Sequence, residues 1–403
     1  MKKVFITSNG CPRRYLDASK LQNYFKINKC KIIKNPKFAD YLLFISCSFT
    51  KYKELECIEL IKKLSIFKGE LIVMGCLPEI SPEILKNVFQ GKAISTKKIE
   101  KIDKIFPVFK YSMNKIKDTN VLFNDKYYKK FKILNINNNN HFFLNKLYEF
   151  FSNKLKHDKI KFGYKINLKV SKGCNQNCSY CSIKNAIGKT VSKPITKCVN
   201  EYKELIKNKH FKINLIADNI GSYGLDLKSS FKELLSKLAK CNDSAKIKWY
   251  IKDLHPIWLI KYETELKKHI RSGKISSILC PIQSGSQRIL KLMNRDMDKK
   301  DFYESIQKFK KINPTLKLIT QIIIGFPSET NIEFNKTLKF INKIGFDAVW
   351  VFPYHNAKNA PSAKMNYQIN KMVINKRMKV TEDYLLSKKI VRYSDENFGK
   401  KSI

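Results

Sequence analysis

Three cysteines fall within eight residues of this 403-residue chain, in Gly173-Cys174-Asn175-Gln176-Asn177-Cys178-Ser179-Tyr180-Cys181, directly behind an apolar run, Ile166–Val170, that reads as a β-strand. Cysteines so densely placed in a loop are poorly suited to core packing. Three thiolates in such a span can wrap one iron–sulfur cluster and leave one iron open to a small molecule. A zinc site would want a fourth Cys or His close by, and none follows soon after. No signal peptide is visible: Met1-Lys2-Lys3 leads only a short apolar run, Val4-Phe5-Ile6. No apolar run approaches the roughly 20 residues of a spanning helix. A reducing, cytoplasmic setting is therefore expected, in which the eleven cysteines serve metal or redox chemistry rather than disulfides.

Around that loop the chain alternates strand and helix. In the first third, Lys3–Ser8, Lys31–Lys34, Tyr41–Ser46 and Glu70–Met74 read as strands, and Tyr15–Phe25 and Glu54–Phe67 as helices. This predicts an α/β fold with a doubly wound parallel sheet. From Lys165 the alternation resumes for six units, with strands at Ile166–Val170, Ile213–Ala217, Ile247–Ile251, Ile275–Ile282, Leu318–Ile324 and Ala348–Phe352, and a last helical stretch at Lys371–Leu386. Six successive units predict a (β/α)6 partial barrel whose chemistry sits at the C-terminal strand ends. The expected organisation is an N-terminal domain over residues 1–125, an irregular connection over 126–160 containing the Asn-rich tract 135–140, the barrel over 161–386, and a short tail over 387–403.

A second trio of cysteines is dispersed in sequence but regular in context. Cys11 follows Lys3–Ser8, Cys47 follows Tyr41–Ser46, and Cys76 follows Glu70–Met74. In a parallel sheet those strand ends share one edge, where ligands gather. Thiols up to 65 positions apart can therefore converge into a second cluster site. Cys30, Cys57, Cys198, Cys241 and Cys280 lack that regularity and read as small packing residues.

The CxxxCxxC spacing, with an aromatic residue just before the third Cys, resembles the radical S-adenosylmethionine (SAM) superfamily, and a Cys-trio domain followed by such a barrel resembles its methylthiotransferase family. Supporting segments include Gly10-Cys11, Ser46-Cys47, Gly75-Cys76, Ile220-Gly221-Ser222-Tyr223-Gly224, Gln283-Ser284-Gly285-Ser286, Met293-Asn294-Arg295, Ile324-Gly325-Phe326-Pro327-Ser328-Glu329 and Val351-Phe352-Pro353-Tyr354. The resemblance implies that Cys174, Cys178 and Cys181 hold a 4Fe–4S cluster whose open iron binds SAM, with Tyr180 near the adenine. It implies that Cys11, Cys47 and Cys76 hold a second 4Fe–4S cluster, which presents sulfur, and that both face one cavity. The product carries a methylthio group at a formerly unactivated C–H, and an external electron donor is needed. Gly325 and Glu329 match a segment near SAM in relatives. Gln283, Ser284 and Gly285 follow a barrel strand and could hold SAM or substrate, a plain turn being the alternative. Asp218 and Asn219 end the second barrel strand; Asp218 stands where the family commonly has Gly or Gln, and Gln321 where it often has Asp. Relatives that act on tRNA usually carry a small all-β RNA-binding domain after the barrel, which is not expected in the helical tail here.

Charge bears on the substrate. Seventy-nine Lys and Arg against 34 Asp and Glu give a net charge of +45, which should attract polyanions. Residues 101–165 carry +10, close to the average density of the chain, so the charge is spread rather than gathered in one patch. The first expectation is methylthiolation of an adenosine beside the tRNA anticodon, with tRNA as partner and no membrane. The same chemistry on a peptide, protein or small metabolite comes second, and a non-catalytic iron–sulfur RNA-binding protein third.

Overall fold

The computed structural model describes residues 1–128, 166–241 and 246–393, and the chain divides into two units at Lys161/Phe162. Nearly all of the connection expected over 126–160, including the Asn-rich tract, lies outside the described residues, as do positions 394–403 of the tail. Among the described residues no helix is long and apolar enough to cross a membrane.

The first unit runs β1 (Lys3–Ser8), α1 (Pro12–Ile27), β2 (Lys31–Ile33), β3 (Tyr41–Ser46), α2 (Lys51–Leu64), β4 (Glu70–Gly75) and β5 (Lys92–Ser95). All strands pair in parallel, in the order β2-β1-β3-β4-β5. β1, β3 and β4 are buried at every position after the first, the mark of strands covered on both faces. Their side chains alternate between those faces. Val4, Ile6, Leu43, Ile45, Ile72 and Met74 meet Leu21 and Phe25 of α1. Phe5, Leu42, Phe44, Leu71 and Val73 meet Cys57, Leu60 and Ile61 of α2 on the other side. The sheet is thus doubly wound, and its order reverses between β1 and β3, the crevice where such folds bind ligands. β5 escaped the sequence reading because it is a four-residue edge strand buried only at its end.

The second unit runs β6 (Asn167–Lys169), α3 (Ile195–Lys207), β7 (Lys212–Ile216), α4 (Phe231–Lys240), β8 (Lys248–Ile251), α5 (Pro256–Lys261), α6 (Glu263–Arg271), β9 (Ile275–Leu279), α7 (Gln287–Leu292), α8 (Lys299–Ile312), β10 (Lys317–Ile324), α9 (Asn331–Ile344), β11 (Ala348–Pro353), α10 (Lys371–Ser387) and β12 (Val391–Tyr393). Its strands pair in parallel in simple succession from β6 to β12. Successive βα units in one direction make a barrel-like sheet with free edges. Among the described residues the six strands of the expected partial barrel are present and gain a seventh at the edge: past its helix the tail adds β12 to β11, with Tyr393 stacked on Trp350 at 4.7 Å. Three residues carry too little periodicity to be read from sequence. Past β6, Ser171–Lys172 pairs antiparallel with Val191–Ser192, so the cysteine loop between them is tied shut at its base.

Candidate metal centres

The first site lies at the C-terminal edge of β1, β3 and β4. Cys11 is the residue before α1, Cys47 directly follows β3, and Cys76 directly follows β4. Burial raises the Cys47 thiol pKa well above its ordinary value. Cys11 and Cys76 raise it further, so the three sulfurs lie within electrostatic range of one another. The backbone is shaped for this approach. Gly75 adopts φ +106°, and a Cβ there would stand 2.3 Å from the Ser46 carbonyl oxygen. The Ser46 hydroxyl donates to the Met74 carbonyl at 2.6 Å, joining the ends of β3 and β4.

Beneath Cys47 is a polar layer that sequence reasoning missed. The Asn9 carboxamide oxygen accepts the Cys47 N–H at 2.9 Å, while its NH2 donates to Glu56 at 3.1 Å. Cys57, read from sequence as a packing residue, is fully buried, but its thiol donates to the Cys47 carbonyl at 3.1 Å. Burial pushes that thiol up to about 12. Asp125, also buried, accepts from the Ser8 N–H at 2.6 Å and the Thr7 hydroxyl at 2.8 Å, pinning the end of β1. No motif links residues so distant in the chain, and only the fold assembles them.

The second site is the loop 174–181. Gly173 adopts φ +82°, and a Cβ there would lie 2.0 Å from the Lys189 carbonyl oxygen. Its N–H donates to the Asp218 carboxylate at 2.7 Å, which gives Asp218 a role in holding the loop to the end of β7. Cys174 donates its N–H to the Gly188 carbonyl at 3.0 Å, and Cys181 its own to the Cys178 carbonyl at 3.1 Å. Burial pushes the Cys181 thiol up to about 11, and Cys178 and Cys174 add to the rise, so these sulfurs also lie within range of each other. The Arg295 guanidinium reaches the Cys178 sulfur at 3.5 Å. Tyr180 packs against the cluster of Ile289, Met293, Ile323 and Phe326.

The remaining residues singled out from sequence divide in two. Ser284 and Gly285 are engaged within the fold: the Gly285 N–H donates to the Thr337 hydroxyl at 3.0 Å, and the Ser286 N–H to the Ser284 hydroxyl at 3.1 Å. Glu329 accepts the Gly325 N–H at 2.9 Å and pairs with Arg377 at 3.0 Å. Gln283, by contrast, has φ +66° and a buried, unpartnered carboxamide oxygen. Asn219 faces the Cys174 sulfur with its side-chain amide, and its amide oxygen is buried without a partner. His255, beyond β8, was not foreseen. Its Nδ1 accepts the Ile257 N–H at 3.2 Å, leaving Nε2 buried and unpartnered, and burial together with the Arg295 charge drives its pKa down to about 2. Asn219, His255 and Gln283 follow the C-terminal ends of three consecutive strands, β7, β8 and β9. Unsatisfied buried polar atoms are uncommon in native folds, and these three residues hold theirs at strand ends, where a ligand would satisfy them.

Two family models match the chain side by side: "Uncharacterized protein family UPF0004" over residues 3–95 and "Radical SAM superfamily" over residues 168–341. Ribosomal protein uS12 methylthiotransferase RimO of Citrifermentans bemidjiense is 28% identical over 399 residues, covering 94% of this chain and 80% of that protein. The tRNA-2-methylthio-N(6)-dimethylallyladenosine synthase of Clostridium tetani is 34% identical over 214 residues, 51% of this chain and 46% of that protein. This chain belongs to the radical SAM methylthiotransferase family. In fold, the methylthiotransferase is similar to the radical SAM methyltransferase TsrM of Kitasatospora setae, solved with cobalamin and a [4Fe-4S] cluster, with a TM-score of 0.59 at 7% identity over 90% of this chain and 77% of that one.

Methylthiotransferases of this family use SAM and 4Fe–4S clusters, and the donor sets here fit such groups. Each trio offers three thiols and leaves a corner of a four-iron cluster open. Among the described residues no three His, Cys, Asp or Glu side chains are grouped as ligands of a single metal ion. One tetrahedral ion needs its sulfurs about 4 Å apart; a cluster takes each thiolate on a different iron and does not.

Proposed function

We propose that this methylthiotransferase acts on an adenosine of tRNA in the cytoplasm, using two clusters, one held by Cys174, Cys178 and Cys181 and the other by Cys11, Cys47 and Cys76. The observation that carries the tRNA reading is the net charge of +45, since phosphate contacts give affinity independent of sequence. When bound, the first cluster and SAM supply one-electron cleavage of the sulfonium and so a radical that takes a hydrogen atom, and the second cluster supplies the sulfur.

The protein's own residues position these groups. Gly173 and Asp218 hold the 174–181 loop against β7, and Tyr180 offers a flat apolar wall beside it. Asn219, His255 and Gln283 bring unpaired polar atoms to the strand ends, suited to the amino, carboxylate or ribose groups of SAM. With Nδ1 accepting a hydrogen bond, His255 carries its proton on Nε2 and is a neutral donor. In the first unit, Asn9 and Cys57 fix the backbone at Cys47. Gly173→Ala is expected to destabilise the second unit by about 1–3 kcal/mol through strain alone. It is also expected to empty the 174–181 site, which iron analysis and urea unfolding would register together.

A second substrate, a ribosomal protein, is favoured by a separate observation: the uS12 methylthiotransferase aligns with 94% of this chain. Mass spectrometry of both tRNA nucleosides and ribosomal protein uS12 from a deletion strain discriminates. The tRNA reading expects the methylthio-adenosine to vanish and uS12 to be unchanged; the reverse result transfers the assignment to the ribosome.

A further inference from the structure

Arg295 is 7% exposed and meets no carboxylate among the described residues. Its Nη1 donates to the Cys178 sulfur at 3.5 Å and its Nη2 to the Pro281 carbonyl at 2.6 Å, while Nε is buried without a partner. The side chains around it are Tyr180, Cys178, Cys280 and His255, none of them a carboxylate. A buried guanidinium without an anion is costly, and proteins keep one only where an anion arrives. The other trio has a guanidinium too, but a compensated one. Arg14 reaches the Cys76 sulfur at 3.8 Å and pairs with Asp17 at 3.0 Å, so its charge is already balanced.

The geometry points to Arg295 as the positioning residue that balances the negative charge of a cluster held by Cys174, Cys178 and Cys181, and sets its reduction potential through the bond to the Cys178 sulfur. Hydrogen bonds to cluster sulfurs and nearby positive charge stabilise the reduced, more negative state and raise the potential. Met293-Asn294-Arg295 ends α7 in a short turn whose 293 carbonyl accepts the Ser179 N–H at 2.9 Å, so the arginine and the cysteine loop are locked to the same piece of backbone. This inference rests on the cluster assignment of the preceding section.

The test uses the full chain with Cys11, Cys47 and Cys76 replaced by Ala, so that one cluster remains, reconstituted anaerobically and titrated by potentiometric EPR. Arg295→Gln is expected to move the midpoint to more negative potential, whereas Arg295→Lys, which keeps the charge, stays near the parent. Arg14→Gln, adding a change at the other, vacated trio, leaves it unmoved. An Arg295→Gln midpoint equal to the parent overturns the proposal, as does an equal shift in the Lys and Gln variants. If Arg295→Gln binds no iron, retention of iron by Arg295→Lys supports the charge requirement, and loss from both overturns it. Failure of the parent itself to bind iron would instead sink the cluster assignment.

Discussion

Replacing any one of Cys174, Cys178 and Cys181 by Ala is expected to abolish 5′-deoxyadenosine release from SAM and to remove about half of the iron and sulfide of the reconstituted protein. Replacing Cys11, Cys47 or Cys76 is expected to remove the other half, to end methylthio transfer, and to leave SAM cleavage intact. The two outcomes differ because the trios belong to different units, each with its own sheet and core. Loss of one should not unfold the other. Iron and sulfide analysis with chromatography of the nucleoside products reads both halves of the experiment. A Cys47 variant that ceases to cleave SAM, or a Cys178 variant that keeps all its iron, would contradict the division of labour.

Arg377→Met is expected to cost about 2 kcal/mol of stability at pH 8, the sum of one lost hydrogen bond and the roughly 1.4 kcal/mol needed to keep Glu329 protonated one unit above its pKa. Arg377 of α10 and Glu329, beyond β10, have side-chain exposures of 8% and 0%. Burial raises the Glu329 carboxyl to about 7 against the lowering effects of the Gly325 N–H and Arg377. A carboxyl with a raised folded pKa contributes its full stability only below its unfolded value, and loses it as pH climbs through 7. At pH 5.5 Glu329 holds a proton with or without Arg377, so the variant should lose only about 1 kcal/mol there, the worth of one hydrogen bond. Urea unfolding at the two pH values measures the difference. A penalty independent of pH would show that the pair matters through packing rather than charge.

Much of this architecture was legible because the physics is local. β1 and β3 match their expected ranges because each has an unbroken apolar centre, Val4–Ile6 and Leu42–Ile45, which a strand covered on both faces can bury. The helix predicted over 371–386 stands at Lys371–Ser387, with the Asn370 side chain accepting the Met372 N–H at 2.8 Å as its cap. β12 and β5 were not legible, since a short edge strand is specified by its neighbour rather than by its own pattern. Cys57 packs in the core as its position on the helix implies, and only the structure shows the Cys47 carbonyl that its thiol also faces.

Of the site, the chain order alone fixed two things: the loop 174–181, whose cysteines are close in sequence, and the three strand ends after which Cys11, Cys47 and Cys76 fall, because every parallel strand must deliver its C-terminus to one edge. Folding decided the rest. Asn9, Asp125, Asp218, His255 and Arg295 act through contacts with residues 38 to 117 positions away, or through an unpaired atom at a strand end. No periodicity or spacing encodes such a meeting; it exists only once hydrophobic burial has closed each sheet and brought those loops to its rim.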